Sequence, residues 1–266
     1  MVLPLDLQYA LSQCYVNFSS RLSLLKKLNS ALVKSANEMD TKNKGTAEEM
    51  SKITKTFEAF AKGGKIDNNS FFMALRDTID SFLLPEFIVT FIREMSLIFL
   101  VTEFEAFLGL CLDAVFEYKP EAMMNRQRSL TFEEILSFSS MENLRSALAN
   151  QEIDSIINEG DIEKLNQRLS NQYKLLDFSS SPDWNEFKEC FYRRNLIIHS
   201  GGRINDRYRE KTGYKGEDGV LTVEEKFLDE AISRFDKYSL VVVGSFARLI
   251  IVKEGTKAEV PVTKSL

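Results

Sequence analysis

Residues 86–118 read EFIVTFIREMSLIFLVTEFEAFLGLCLDAVFEY. Phe87, Phe91, Met95, Ile98, Phe99, Thr102, Phe104, Phe107, Leu108, Cys111 and Val115 recur here at spacings of three and four, the period of an α-helix and not of a strand. The apolar positions wrap more than one side of that helix, which predicts an element buried on several faces and central to a bundle. Pro85 suits its first turn, because the missing N–H would be unpaired there anyway. Lys119-Pro120-Glu121 stops or redirects it, since the residue before a proline is pushed out of helical geometry.

The same period extends outward in both directions. Upstream, Leu7, Leu11, Cys14, Phe18, Leu22, Leu25, Leu28 and Leu32 predict a long amphipathic helix over 5–39. A polar break over 39–46 containing Gly45 separates it from helices expected at 47–61, ended by Gly63-Gly64, and at 68–82, opened by Asn68-Asn69-Ser70. Downstream, Thr131 and Glu134 have capping-box spacing at the start of a short helix. Further helices are expected over 142–159, 161–177, 183–199 and 222–252, with Ser179-Ser180-Ser181-Pro182-Asp183 as a loop. No alternating strand pattern and no internal repeat is visible. With 12 Gly and 5 Pro in 266 residues, turns are sparse and elements long. The expectation is an all-α helical bundle. It divides into an N-terminal helical extension (1–84), a helical domain (85–252) and a flexible tail (253–266).

Bulk chemistry narrows the function. The composition, 44% hydrophobic and 27% charged, is that of a soluble globular protein. A net charge of −5 argues against nucleic-acid binding through average charge. Cys14, Cys111 and Cys190 are odd in number, far apart and each within an apolar helical pattern. They read as reduced core residues of a cytoplasmic protein. The N-terminus lacks a basic segment followed by a long apolar run, so no signal peptide is expected. The most apolar stretches, 97–101 and 240–243, are too short to span a bilayer, and no membrane partner is expected.

One segment departs from the average. Arg193-Arg194-Asn195-Leu196-Ile197-Ile198-His199-Ser200-Gly201-Gly202 holds the only histidine. Between 187 and 215 lie eight Lys/Arg (188, 193, 194, 203, 207, 209, 211, 215) against three acids (189, 206, 210), a local surplus of five. Such a field attracts phosphate whatever the net charge. Imidazole is the side chain suited to acid–base work near neutrality. Asn195 and His199 share a helix face. Arg194 and His199, five apart, diverge by roughly 140° at about 100° per residue. A long Arg side chain partly closes that angle, or a second copy of the helix across a two-fold supplies the other half. Arg194 would then hold a scissile phosphate through bidentate hydrogen bonds, and His199 would give a proton to the leaving 5′ oxygen or take one from a 2′-hydroxyl. The bland alternative is a His that caps a helix end, beside solvated arginines. One His without clustered Asp/Glu suggests no metal site, and no cofactor is expected.

The run Arg194-Asn195-Leu196-Ile197-Ile198-His199-Ser200-Gly201-Gly202-Arg203-Ile204-Asn205-Asp206-Arg207-Tyr208 resembles the signature of HEPN domains. It is most similar to a bacterial, ribonuclease-like branch whose pattern continues Arg-Asn-x-x-x-His-x-x-Gly-x-x-Asp-x-x-Tyr. Residues 98–108 resemble the first core helix of that branch, and Lys119-Pro120-Glu121 followed by 131–136 its next segment. The resemblance covers roughly residues 86–250. It implies a helical bundle that dimerises to form a composite site. It also implies metal-independent endoribonuclease activity leaving a 2′,3′-cyclic phosphate, in proteins that often act as toxins or antiviral-defence effectors. By position, Arg194 becomes the phosphate-binding residue, Asn195 the polar residue that orients the site, and His199 the acid–base residue. Arg193, Arg203 and Arg207 are candidate RNA contacts. Glu105 could approach the site, although a buried or capping carboxylate is the preferred reading. The expected partners are RNA, a second copy of the chain, and an inhibitory or sensor protein. Residues 1–84 fall outside the resemblance, and Lys62-Gly63-Gly64-Lys65 lacks phosphate-loop spacing, so a structural extension is favoured there over a dimerisation arm or sensor. The competing function is a non-catalytic helical module that binds RNA, a nucleotide or a protein through the same face.

Overall fold

The computed structural model describes residues 5–40, 85–120, 130–174 and 176–255. Among them are eight α-helices and no strand: α1 (Leu5–Asp40), α2 (Pro85–Tyr118), α3 (Phe132–Leu136), α4 (Met141–Ile157), α5 (Ile162–Gln167), α6 (Trp184–Ser200), α7 (Asp206–Thr212) and α8 (Glu225–Gly255). The all-α expectation holds. The helices expected at 47–61 and 68–82 lie outside the described residues.

α2 is the axis of the bundle. Leu97, Leu100, Val101, Phe104, Leu108, Cys111 and Leu112 are buried along it. Phe104 is the point where four helices meet. Its ring lies 6.0 Å from Phe18 of α1, 5.4 Å from Phe187 of α6 and 5.2 Å from Phe235 of α8, the last two edge-on. Edge-to-face contacts set the positive rim of one ring against the negative face of another, so they fix relative rotation as well as distance. Phe187 in turn stacks on Tyr238 with centroids 3.8 Å apart.

Pairings along the helices give their directions. Phe18 meets Phe107 and Arg21 pairs with Glu103, so α1 runs antiparallel to α2. Arg93 donates to Glu225 at 2.6 Å while Phe104 meets Phe235, so α8 runs parallel to α2. Asp183 accepts from Lys237 at 2.8 Å while the Arg193 guanidinium lies 3.7 Å over the Phe227 ring, so α6 runs antiparallel to α8. α1, drawn from the segment expected as an extension, contributes Leu7, Leu11, Phe18, Leu22 and Leu25 to the same core as α2, α6 and α8.

Several local readings are sharpened. The capping box at α3 is formed: the Glu134 N–H donates to Thr131 Oγ1 at 3.2 Å, and the Thr131 N–H to Glu134 Oε2 at 2.8 Å. The helix expected over 161–177 is broken. α5 passes into a π-helical turn over Arg168–Gln172, and Lys174 adopts φ 54°. Arg168 reaches back to Glu152 at 2.8 Å and to the Ser155 carbonyl at 2.8 Å, which ties this turn to α4. α7 was not foreseen. Its signals are the Asn205 side chain, which accepts from the Tyr208 N–H at 2.9 Å, and Gly213 with φ 71° at its exit. α8 continues to Gly255, past the expected end at 252.

α2 is buried on more than one side over much of its length, as expected, while Phe87, Phe91, Met95 and Phe99 are exposed. At about 100° per residue, Phe87, Phe91 and Met95 form one stripe that continues through Ile98 and Thr102 to Glu105. Phe87–Tyr118 is a longer apolar stretch than 97–101 or 240–243: it is 32 residues long with an 18-residue window of mean hydropathy 1.9, enough by length and composition to cross a bilayer, and half of that window is buried in protein.

Truncating the meeting point should be costly. Phe104→Ala leaves four helices facing a void and is expected to destabilise by roughly 3–5 kcal/mol, whereas Leu110→Ala, exposed on the same helix, should shift stability by less than about 0.5 kcal/mol. Urea unfolding followed by circular dichroism separates the two.

Candidate active site

α6 carries the Arg-Asn-x-x-x-His segment, and its rotation is set by the core. Phe187, Cys190, Phe191 and Leu196 face inward and are buried, leaving Arg194, Asn195, Ile198 and His199 toward the outside. At the C-terminus, Gly201 (φ 55°) and Gly202 (φ 77°) turn the chain sharply. A Cβ on Gly202 would sit 2.8 Å from the Leu221 carbonyl oxygen, so the position needs glycine for space as well as for φ. The chain is then pinned by Leu221 N–H donating to the Gly202 carbonyl at 2.8 Å and Ile204 N–H donating to Gly219 at 3.0 Å. This leads directly into α7, so the α6 exit and α7 form one wall.

Two adjoining clefts open along α6. One, of about 170 Å³, is lined by Asn195, His199, Ser200, Asn205, Arg207 and Tyr208, with Gly160 and Tyr192 at its side. The other, of about 190 Å³, is lined by Glu105, Arg194, Asn158, Asp161, Phe191 and Leu165, again with Gly160, Tyr192 and Asn195. Asn195 therefore belongs to both. Arg194 faces one cleft and His199 the other, as the 140° offset requires. Asn195 and His199 line one cleft, and Arg194 lines only the other.

Arg194 meets Glu105 of α2 in a partly buried ion pair. Glu105, read from sequence as a buried or capping carboxylate, is thus part of the site. The signal was its place one residue after Phe104, but only the crossing of α2 and α6 reveals its partner. Burial pushes the Glu105 carboxyl above its ordinary value, against the Coulomb pull and hydrogen bond of Arg194. The Arg194 Nε is buried without a hydrogen-bond partner.

The other basic residues divide sharply. Arg193, an expected RNA contact, is buried instead: its guanidinium pairs with Glu189, donates to the Thr222 carbonyl at 3.3 Å and stacks on Phe227. Tyr208 closes this group by donating to Glu189 at 3.0 Å. Arg209 bonds Asp218 at 2.6 Å and the Gly216 carbonyl at 2.7 Å. Lys188 and Lys211 both bond Glu163 at 2.7 Å. Arg203, Arg207 and Lys215 are exposed and have no ion-pair partner among the described residues. The expected surplus of five positive charges is therefore largely neutralised. The acids that do so, Glu105, Asp161, Glu163 and Asp218, come from outside the segment or from its far end, where a local charge count does not reach.

Asp161 organises the floor between the clefts. Its carboxylate accepts from the Glu163 N–H at 2.9 Å, from the Tyr192 hydroxyl at 3.0 Å and from Lys211 at 3.1 Å. Burial opposes the charge, yet these donors together hold the Asp161 carboxyl below the ordinary carboxylate range. Glu163 is held low in the same way by Lys188 and Lys211, again against burial. Burial first, then the Asp161 hydrogen bond, pushes the Tyr192 hydroxyl well above its ordinary value, so it stays a neutral donor. Among the described residues no group of three His, Cys, Asp or Glu side chains is gathered to hold a metal ion. Asn205, Ser200 and Gly160 were not foreseen as site residues. Asn205 stands where the resembled pattern has Asp, and its side chain serves as the α7 cap. Comparison with family models, curated proteins and solved structures finds no match.

The Asp161–Glu163–Lys211 group gives a pH signature. Carboxyls with lowered folded-state values contribute stability that is present above the ordinary carboxylate range and lost as pH falls through their lowered values. The Lys211 amine, raised first by its bond to Glu163, contributes stability that is lost only as pH rises beyond its ordinary 10.5. Lys211→Met should therefore be less stable than wild type from about pH 5 to about pH 10, with the difference shrinking below about pH 4. Urea midpoints across this range measure it.

Proposed function

We propose that this chain is a metal-independent endoribonuclease of HEPN type, acting as a homodimer in the cytoplasm as a toxin or defence effector. The observation that carries the reading is the pair of clefts on α6, with Asn195 in both, Arg194 on one side and His199 on the other. Arg194 lines one cleft, and His199 stands exposed at the helix end beside Arg207 in the other. A phosphodiester would be held by Arg194, whose guanidinium offsets charge developing on the non-bridging oxygens. The 2′-hydroxyl oxygen attacks phosphorus, and the bond to the 5′ oxygen breaks. The products are a 2′,3′-cyclic phosphate and a 5′-hydroxyl. His199 takes the 2′ proton or supplies the proton that the 5′ oxygen needs, and Asn195 orients the phosphate between them. Arg203 and Arg207, exposed on the wall made by the α6 exit and α7, would contact the RNA backbone.

Completion by a second copy explains why the two groups diverge on one helix. The exposed stripe of Phe87, Phe91 and Met95 leads along α2 to Glu105 and so to the Arg194 cleft, with Ile198 exposed one turn beyond Arg194 on α6. Apolar surface bordering a polar cleft is what a partner protomer covers. A second reading, a non-catalytic module that binds RNA, a nucleotide or a protein, is favoured by the Glu105–Arg194 pair and by the neutralised basic segment. Cleavage itself decides between the two.

Purified protein should cut single-stranded RNA in EDTA and leave cyclic phosphate ends. Arg194→Ala and His199→Ala should each lower the rate by at least about 100-fold with unchanged helical circular dichroism. Cutting that survives both substitutions removes the enzymatic reading. Salt-sensitive RNA binding without any product supports the module instead. Mixing the two inactive variants should restore cleavage if Arg194 and His199 act across a two-fold, and should restore none if each protomer works alone.

A further inference from the structure

Cys14 and Cys111 are distant in sequence and were read as separate core residues. The antiparallel seam of α1 and α2 brings them to one level. Phe18 stacks on Phe107 at 4.8 Å and Arg21 pairs with Glu103, so one turn further up α1 lies opposite one turn further down α2. Cys14 and Cys111 occupy that level, and Cys14 packs against the core cluster that holds Cys111. The two are unequal. Cys111 is fully buried, while Cys14 is half-buried. The neighbouring Cys111 thiol lowers the Cys14 thiol from its ordinary value, against burial. Cys14 is therefore the thiol nearer solvent, with a fully buried thiol behind it on the facing helix, the arrangement of an attacking and a resolving cysteine. Cys190 is elsewhere, on α6, buried, with its Sγ donating to the Glu186 carbonyl at 3.3 Å, and burial pushes it up to about 12.

We propose that Cys14 and Cys111 are a peroxide-oxidisable pair that forms a disulfide between α1 and α2. The Cys14 thiolate attacks one oxygen of hydrogen peroxide, the O–O bond breaks, and Cys14 becomes a sulfenic acid as hydroxide leaves. The Cys111 sulfur then attacks the Cys14 sulfur. The S–S bond forms, the S–O bond breaks, and the hydroxyl leaves with the Cys111 proton as water. Two thiols are oxidised, and one peroxide is reduced to two waters. A small thiol such as reduced glutathione reverses the bond by exchange. The cross-link closes a long loop and constrains the unfolded chain. It also ties α1 to the helix that carries Glu105, less than two turns from Cys111. The proposal stands apart from the ribonuclease reading.

The test uses the full chain, hydrogen peroxide and a count of free thiols. Wild type holds three cysteines. After peroxide the free-thiol count should fall by two, and a Cys14–Cys111 peptide should appear in a non-reducing digest of a chain whose mass on a non-reducing gel is unchanged. The melting temperature should rise, and dithiothreitol should return it. Cys111→Ser should leave Cys14 as a sulfenic acid captured by dimedone, and Cys14→Ser should keep its two remaining thiols reduced under the same exposure. Three thiols persisting in wild type, a Cys14 sulfenic acid accumulating while Cys111 stays free, or a bond to Cys190 or to another chain would each overturn it.

Discussion

The contact between α2 and α6 at Phe104 is the constraint from which the site follows. Phe187 and Phe191 both pack edge-on against that one ring. Edge-on packing allows few relative rotations of two helices, because turning either one replaces a favourable rim-to-face contact with a face-to-face one. With Phe104 directed at α6, the next residue, Glu105, is directed along its flank. With Phe191 directed at Phe104, Arg194 emerges on that same flank. The ion pair of Glu105 and Arg194 is thus a consequence of aromatic packing one residue away. Its partly buried setting opposes the Glu105 charge while Arg194 supports it.

That pair gives the site its chemical character. A guanidinium committed on one edge to a carboxylate is held in place and keeps its remaining donors for another acceptor. Such positioning lowers the entropy that ligand binding must remove. The cost is competition, since any anion reaching Arg194 would share it with Glu105. Around it, Lys188, Lys211, Arg209 and Arg193 serve the fold, each bonded to a carboxylate that packing carries to it. Arg203, Arg207 and Lys215 keep their charge exposed. The uncompensated positive charge therefore comes from a few side chains and not from the whole basic stretch.

How far the sequence could be read varied with the range of the forces involved. The capping box of Thr131 and Glu134, the Gly201-Gly202 exit and the long apolar periodicities of α1, α2, α6 and α8 are all local, and all formed as read. The break at Arg168 escaped notice because its cause is a side chain reaching back to Glu152 and Ser155 of another helix. α7 escaped because seven residues carry little periodicity, although Asn205 and Gly213 marked both ends. The exposed stripe of Phe87, Phe91 and Met95 was read as core, because an apolar pattern states what a helix face prefers and not whether a neighbour is there to cover it. Arg193 illustrates the reverse. Arginine in a basic run suggests solvent, yet Phe227, Glu189 and the Thr222 carbonyl enclose it.

By itself the sequence determined the helical class, the main helix limits, and the placing of Arg194, Asn195 and His199 on one helix at a fixed angular offset, because these depend on residue spacing along a regular backbone. Only the tertiary structure decided which arginines remain available, that Glu105 rather than solvent meets Arg194, that Arg194 and His199 open into different clefts, and that Cys14 and Cys111 come to one level of the α1–α2 seam. Each of these turns on which helix lies against which, and at what rotation. That is settled by the packing of the whole aromatic core around Phe104, a sum of contacts between residues far apart in the chain that no local pattern records.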